Sequence, residues 1–296
     1  MTLEQLRIFA AVADKQHVTQ AARELNLTQS ATSAAIAALE GRYGVKLFDR
    51  VGRGIVLTHT GRAFLTEARA VLSRARGAEQ VLRDLAGLKT GKLVLAASQT
   101  VANYWLPARL QAFQAAYPGI EVDVRIANTE RVAVDVRESV ADIGFTEGDI
   151  DDGALSARRI DGDALVVVVG PRHPFARQKK LSSDWMRQTP WILREVGSGT
   201  RAMFEQTLKK RGLRLSDLKV QLQLASNEAI RTAVESGLCA TAISDLVVDK
   251  SVAAKTLSRI DGELAKRAFY ILRHKERHVS KAEAALMSSI AASAAA

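Results

Sequence analysis

The stretch TQAARELNLTQSATSAAIAALE, from Thr19 to Glu40, leaves a chain few ways to fold. It holds two alanine-rich amphipathic runs with a short polar step between them. Ala21, Ala22 and Leu25 recur at helical spacing in the first run, and Ala31, Ala35, Ile36 and Leu39 in the second. The step carries turn chemistry. Asn26 tolerates the left-handed conformation at a helix end, Leu27 plugs the interior, and Thr28 can cap the next helix. Upstream, Leu3, Leu6, Phe9, Ala10 and Ala13 mark an earlier helix face, and the middle helix starts near Val18 with Thr19 as its cap. Small alanines let such helices cross closely, so the pattern predicts a helix-turn-helix.

Gln29, Ser30, Thr32 and Ser33 crowd the N-terminal part of the third helix, where they are expected to point outward. In a helix-turn-helix that end meets base edges in the major groove. Short neutral polar side chains suit the approach: Gln pairs with adenine, and Ser or Thr with several bases. An ordinary three-helix bundle has the same spacing. The adjoining segment favours nucleic acid. In GVKLFDRVGRGIVLTHTG, the apolar residues Leu47, Phe48, Ile55, Val56 and Leu57 flank Gly52-Arg53-Gly54, which predicts a short hairpin, a wing. Arg50 and Arg53 fall near its base and tip, where a guanidinium suits a narrow minor groove or phosphates, against the alternative of solvated surface charge. The net charge of +10 and the pI of 9.9 favour an anionic partner, nucleic acid first and an acidic membrane surface second.

From Thr60 to about Leu85 the period changes. Phe64, Ala68, Val71, Ala75, Ala78, Leu82 and Leu85, widened by Leu65 and Leu72, form the heptad seam of a two-stranded coiled coil. The other reading is a helix packed on its own domain. AGLKTGK then predicts a hinge near Gly87 to Gly91. Beyond Lys92, strands (KLVLAA, EVDVRIA, DIGFT, ALVVVVG, PWILRE, VQLQLA, CATAIS, RAFYILR) alternate with helices around Trp105–Tyr117, Thr129–Val140, Thr200–Arg211 and Asn227–Ser236. That alternation predicts an open α/β sheet, whose ligands bind beyond the carboxyl ends of its strands. Those ends carry Ser98, Thr100, Asn128, Thr129, Thr146, Ser198, Thr200, Ser226 and Asn227. Singly, each reads as an N-cap worth about 1 kcal/mol. Together, hydroxyls and helix N-termini on one rim predict a cleft for a small anion, with no carboxylate cluster in it and Glu147 as the one opposing charge.

The segments LRIFAAVA, TQAARELNLTQSATSAAIAALE, LFDRVGRGIVLT and Gly61 resemble the winged helix-turn-helix of the LysR-type transcriptional regulators, and the resemblance extends over nearly the whole chain. Two positions depart from it: Ser30 stands where the family usually has proline, and Ala34 where a longer polar side chain is common. The resemblance implies a DNA-binding head over residues 1–59, a linker helix and hinge over 60–91, and a periplasmic-binding-protein-like α/β effector domain over 92–296. In the latter, subdomain I spans about 92–161 and 268–296, subdomain II about 162–267, and the crossovers lie near Ile160–Leu165 and Lys266–Phe269. ASQTVANYWLP, VADIGFTEG, ILREVGSGTR and SNEAIRTAVESGL are similar to the branch of sulfur-assimilation and carbon-fixation regulators. The expected partners are double-stranded promoter DNA, a small anionic effector, further copies of the chain as homodimer or homotetramer, and RNA polymerase.

Other classes find less support. GSGT lacks the lysine of a phosphate loop, Cys239 sits in an apolar strand, and His274 and His278 lie in a charged stretch, so no enzyme, metal or cofactor is expected. A single cysteine and no apolar run near the ~20 residues of a membrane span predict a cytoplasmic, non-membrane protein. The remaining alternative is a solute-binding protein without DNA function.

Overall fold

In the computed structural model the chain divides into two compact units, Met1–Leu88 with Glu138–Val140, and Lys89–Arg137 with Ala141–Ala296. The structure describes every residue except Arg53, 86–90, Asp149, 178–180 and Ala296, and only the backbone at Gln80, 83–85, 261–263 and 292–295. Apart from Gly91, the predicted hinge lies outside the described residues, as does the wing-tip Arg53.

The first unit is built from α1 (Leu3–Lys15), α2 (Val18–Glu24), α3 (Gln29–Tyr43), a hairpin of β1 (Phe48–Val51) and β2 (Gly54–Leu57), and α4 (His59–Leu85). A capping box starts α1, with the Thr2 hydroxyl accepting from the Gln5 amide and the Gln5 side chain from the Thr2 amide. Phe9 lies at the centre, fully buried, with its ring 5.4 Å from Phe48 and 4.9 Å from Phe64. The step between α2 and α3 is as its chemistry predicts: Asn26 has φ +56°, and the Thr28 hydroxyl accepts from the Ala31 amide at 3.1 Å. Thr19 is not a cap. The N-cap of α2 is His17, which makes no side-chain capping bond, and Thr19 sits half-buried inside the first turn. Glu40 of α3 accepts from the amides of Leu47 at 2.7 Å and Phe48 at 3.2 Å, which fastens the wing to that helix. Gly61 is required by close approach, since a Cβ there would lie 2.1 Å from the Leu47 carbonyl oxygen.

The seam of α4 is only partly covered by the chain's own core. Ala68 is buried, and Phe64, Leu65 and Leu72 pack against the unit's own core. Val71, Ala78 and Leu82 remain exposed, and the side chain of Leu85 lies outside the described residues.

The second unit is one eight-stranded sheet in the order β4-β3-β5-β10-β6-β9-β7-β8. Its strands are β3 (Gly91–Ser98), β4 (Ile120–Ala127), β5 (Ile143–Glu147), β6 (Leu155–Val169), β7 (Pro190–Arg194), β8 (Lys219–Leu224), β9 (Ala240–Ser244) and β10 (Ser258–His274). β3 pairs in parallel with β4 and β5, and β7 with β8 and β9. The long antiparallel pair β6 and β10 joins these two halves. ALVVVVG and RAFYILR are thus parts of single strands of 15 and 17 residues.

A π-helical turn (Val101–Trp105) leads into α5 (Leu106–Ala116); α6 (Thr129–Arg137), α8 (Gly199–Lys210) and α9 (Asn227–Ser236) follow strand ends. Sequence patterning missed α7 (Ser183–Gln188), α10 (Asp245–Ala253) and α11 (Lys281–Ala295). One half has a core around Leu95, Phe113, Phe145, Phe269 and Leu286; the other has cores around Trp191, Phe204 and Leu208 and around Ile230 and Val234. No described helix is long and apolar enough to cross a membrane.

Candidate nucleic-acid interface and effector site

The exposed end of α3 presents Thr28, Gln29 and Ser30, with Ser33 half-buried beside them. The Gln29 amide donates to Ser33 Oγ at 3.0 Å, and the hydroxyls of Thr28 and Ser30 lie 3.1 Å apart. Thr32 does not share this face. It is fully buried and donates its hydroxyl to the Thr28 carbonyl at 3.0 Å. Helical spacing gives the reason: Thr32 lies four residues before Ile36 and seven before Leu39, both core residues. Ala31, expected inside, is exposed, and Ala34, Ala37 and Ala38 continue the exposed strip. A strip of methyl groups lets the helix backbone approach a neighbouring surface closely. Arg50 is exposed on β1, paired in register with Ile55.

In the second unit, Ser98, Thr100, Thr129, Thr146, Ser198, Thr200 and Asn227 are all buried at strand ends or helix starts. Arg267, on the strand crossing β10, connects several of them. Its guanidinium grips Asp163 through two nitrogens, one bond being 2.7 Å, and both side chains are shut off from solvent. It also donates to Thr200 Oγ1 at 2.9 Å and reaches Thr100 Oγ1 at 3.5 Å. Asn227 donates to the same Thr100 oxygen at 3.2 Å and accepts from Arg194 at 2.5 Å. Ser98 hydrogen-bonds Glu147. The expectation of a rim without a carboxylate cluster, with Glu147 as its one opposing charge, is therefore corrected: Asp163 joins Glu147 around Arg267. Burial pushes the Glu147 carboxyl above the usual carboxylate range, Arg267 opposing and Asp163 reinforcing that shift.

The two halves of the sheet meet across this network. Gln99 donates to the Ala225 carbonyl at 2.6 Å and accepts from the Asn227 amide at 3.0 Å; Asn103 and Tyr104 both donate to Glu228. On another side, the Glu130 amide donates to the Gly197 carbonyl, and Thr129 Oγ1 accepts from the Gly199 amide at 3.2 Å. Asn128 acts chiefly as a cap, its Oδ1 accepting from the Arg131 amide at 2.9 Å.

A cavity of about 830 Å³ opens between the halves, with Thr129, Glu147, Ser198, Gly199 and Arg267 among its lining residues. Ser198 precedes α8 without capping it, and its buried Oγ has no partner among the described residues. Thr146 Oγ1 is buried and unpartnered as well. Among the described residues, Ser73, Thr189 and Thr241 also have buried unpartnered hydroxyls, and of the five Ser198 is the one on the cavity wall, where a ligand or water can complete its bonding. The lining also carries Arg159, Arg201 and Lys266 against Glu130 and Glu205. Thr100, Thr200 and Asn227 are not among the cavity's lining residues and belong to the Arg267 network instead. Sequence patterning passed over Arg267, Asp163 and Arg194; a charge inside an apolar strand run, as in LAKRAFYIL, is the signal that could have found the first.

A helix-turn-helix head with a wing, joined to an α/β domain with an internal cavity, is the architecture of a DNA-binding regulator. Residues 3–62 match the family model "Bacterial regulatory helix-turn-helix protein, lysR family", and residues 86–295 match "LysR substrate binding domain". The chain belongs to the LysR family of transcriptional regulators. It is 35% identical over 284 residues to the uncharacterized regulator YeiE of Escherichia coli K12, covering 95% of this chain and 94% of that one. It is 32% identical over 281 residues to the transcriptional activator CmpR of a Synechocystis strain, covering 94% and 91%. Its fold matches the regulatory domain of CcmR from Synechocystis, solved in complex with 2-PG, with a TM-score of 0.63 and 26% identity over 69% of this chain and 98% of that one. The matched head removes the alternative of a solute-binding protein without DNA function, and the relatives are regulators rather than enzymes.

Proposed function

We propose that the chain binds operator DNA through Gln29, Ser30 and Ser33 of α3, supported by Thr19 and Thr28 and by Arg50 and Arg53 of the wing. The domains divide at about residues 59 and 91, and the chain acts as a homodimer or homotetramer, with RNA polymerase as the partner that reads its occupancy. Exposure of the polar end of α3 supports this assignment; buried Thr32 holds the helix rather than the DNA. Gln29→Ala and Ser33→Ala are each expected to cost roughly 1–3 kcal/mol at the cognate operator and little on random DNA. Arg53→Ala should weaken all sequences and flatten the salt dependence. Binding titrations at several salt concentrations check both, and an unchanged salt slope for Arg53→Ala sinks the wing's role.

The effector, in this reading, is a small anion held in the cavity between the halves, against Ser198, Thr129 and the amide end of α8. One observation carries it: a buried hydroxyl without a partner, at a helix N-terminus, on the wall of a cavity with more cations than carboxylates. Ser198→Ala should cost roughly 1–3 kcal/mol of anion affinity. Calorimetric titration with a panel of small anions and cations tests it. A protein that binds only cations or apolar molecules refutes the assignment.

A further inference from the structure

The cavity holds a charge problem whose solution specifies more of the ligand. Its Glu147 carboxylate is fully buried, hydrogen-bonded by Ser98, and 3.8 Å from Arg267. That guanidinium is already gripped by Asp163. The groups facing Glu147 are thus Arg267 on β10, Asp163 on β6, Ser98 on β3, Arg194 on β7 acting at longer range, and the start of α8. The last abuts it closely, since a Cβ on Gly199 would lie 3.0 Å from Glu147 Cγ. Arg194 is committed to Glu195 and Asn227. Glu147 and Asp163 therefore share the Arg267 guanidinium, and an anion arriving beside Glu147 makes three negative groups around it, with Arg159, Arg201 and Lys266 as the other cations of the lining.

Resting on the anion reading of this cavity, we propose that the site takes its anion together with one proton, which resides on Glu147. A protonated Glu147 becomes a hydrogen-bond donor toward the ligand, whereas an ionised one repels it at close range. Binding and protonation are linked, with a definite sign. An anion in the cavity raises the pKa of Glu147 above its value in the empty protein. Affinity is highest below the empty-state pKa, falls about tenfold per pH unit between the two pKa values, and levels off above the bound-state pKa. Glu147→Gln, a neutral isostere of the protonated acid, removes the linkage.

The test is calorimetry on the full chain with sulfate, nitrate and small carboxylates, ions that do not titrate between pH 6 and 8. Each is measured at several pH values and in two buffers of different ionisation enthalpy. The expected result is affinity that declines with pH, with proton uptake rising toward one per anion once the pH exceeds the empty-state pKa of Glu147. Glu147→Gln should bind as tightly as the wild type at the acid end and show neither proton uptake nor pH dependence. If an anion binds with pH-independent affinity and no proton uptake, the coupling is overturned while the anion site stands. The coupling is equally overturned if Glu147→Gln keeps the wild-type pH profile. If none of the ions binds, the anion site itself falls, and the coupling with it. Proton uptake by the wild type decides the matter even where the variant folds poorly.

Discussion

Arg267→Met is expected to destabilise the effector domain by about 3–5 kcal/mol. The guanidinium and its Asp163 partner are both shut off from solvent, and the same side chain donates to Thr200 and reaches Thr100. Removing the arginine leaves a buried carboxylate without its counter-charge, and the desolvation already spent on Asp163 is no longer offset. Two hydroxyls lose a donor at the same time. Replacing both partners by apolar side chains should cost less, because Asp163 is then no longer stranded and only Glu147 loses a counter-charge, at 3.8 Å. All three tryptophans, Trp105, Trp185 and Trp191, lie in this unit, so their fluorescence follows its unfolding and not that of the head. Urea titrations should show a large fall in midpoint for Arg267→Met, and substantial recovery for Arg267→Met with Asp163→Leu. A single variant within about 1 kcal/mol of the wild type would mean that the pair does not hold the two halves' network together.

That network was the least legible part of the chain. Regular spacing announced the helices of the head, and residue chemistry announced the turn at Asn26 and the cap at Thr28, because both are local properties. Strand ends are legible for the same reason, and Ser98, Thr129, Ser198 and Asn227 do lie at them. Arg267 and Asp163 are 104 residues apart, and only the pairing of β6 with β10 places them together. No local pattern encodes that encounter. Thr32 shows a second kind of limit. Residue type put it with the base-reading side chains, whereas its phase relative to Ile36 and Leu39 put it in the core, and burial decided. α10 and α11 were missed because their alanine- and serine-rich or apolar sequences show weak amphipathic contrast. The charge of Glu147 was visible, but its enclosure depends on the close approach of Gly199, which only the fold supplies.

Val71→Glu combined with Leu82→Glu is expected to dissociate the assembly while leaving each chain folded. The head closes Ala68 within its own core and half-buries Phe64, Leu65 and Leu72 against it, so that part of the heptad has less apolar surface left for a partner. Val71 and Leu82 are 44% and 68% exposed, apolar side chains of α4 that the chain's own packing leaves open. They are eleven residues apart, a spacing that returns to nearly the same side of the helix. Burying each fully against a second copy is worth at most roughly 1.5–3 kcal/mol per side chain, so four such side chains in a dimer supply up to roughly 6–12 kcal/mol, comparable with the ~8 kcal/mol of a micromolar complex. Glutamates there would have to be buried in like-charged surroundings, and the complex should weaken by several orders of magnitude. Ala68→Glu is the contrasting variant: its site is closed within the monomer, so it should unfold the head rather than simply separate the copies. Light scattering gives the assembly state, and circular dichroism shows whether the helices survive. An unchanged mass for the double variant would show that α4 contributes its exposed stripe to something other than a second copy of the chain.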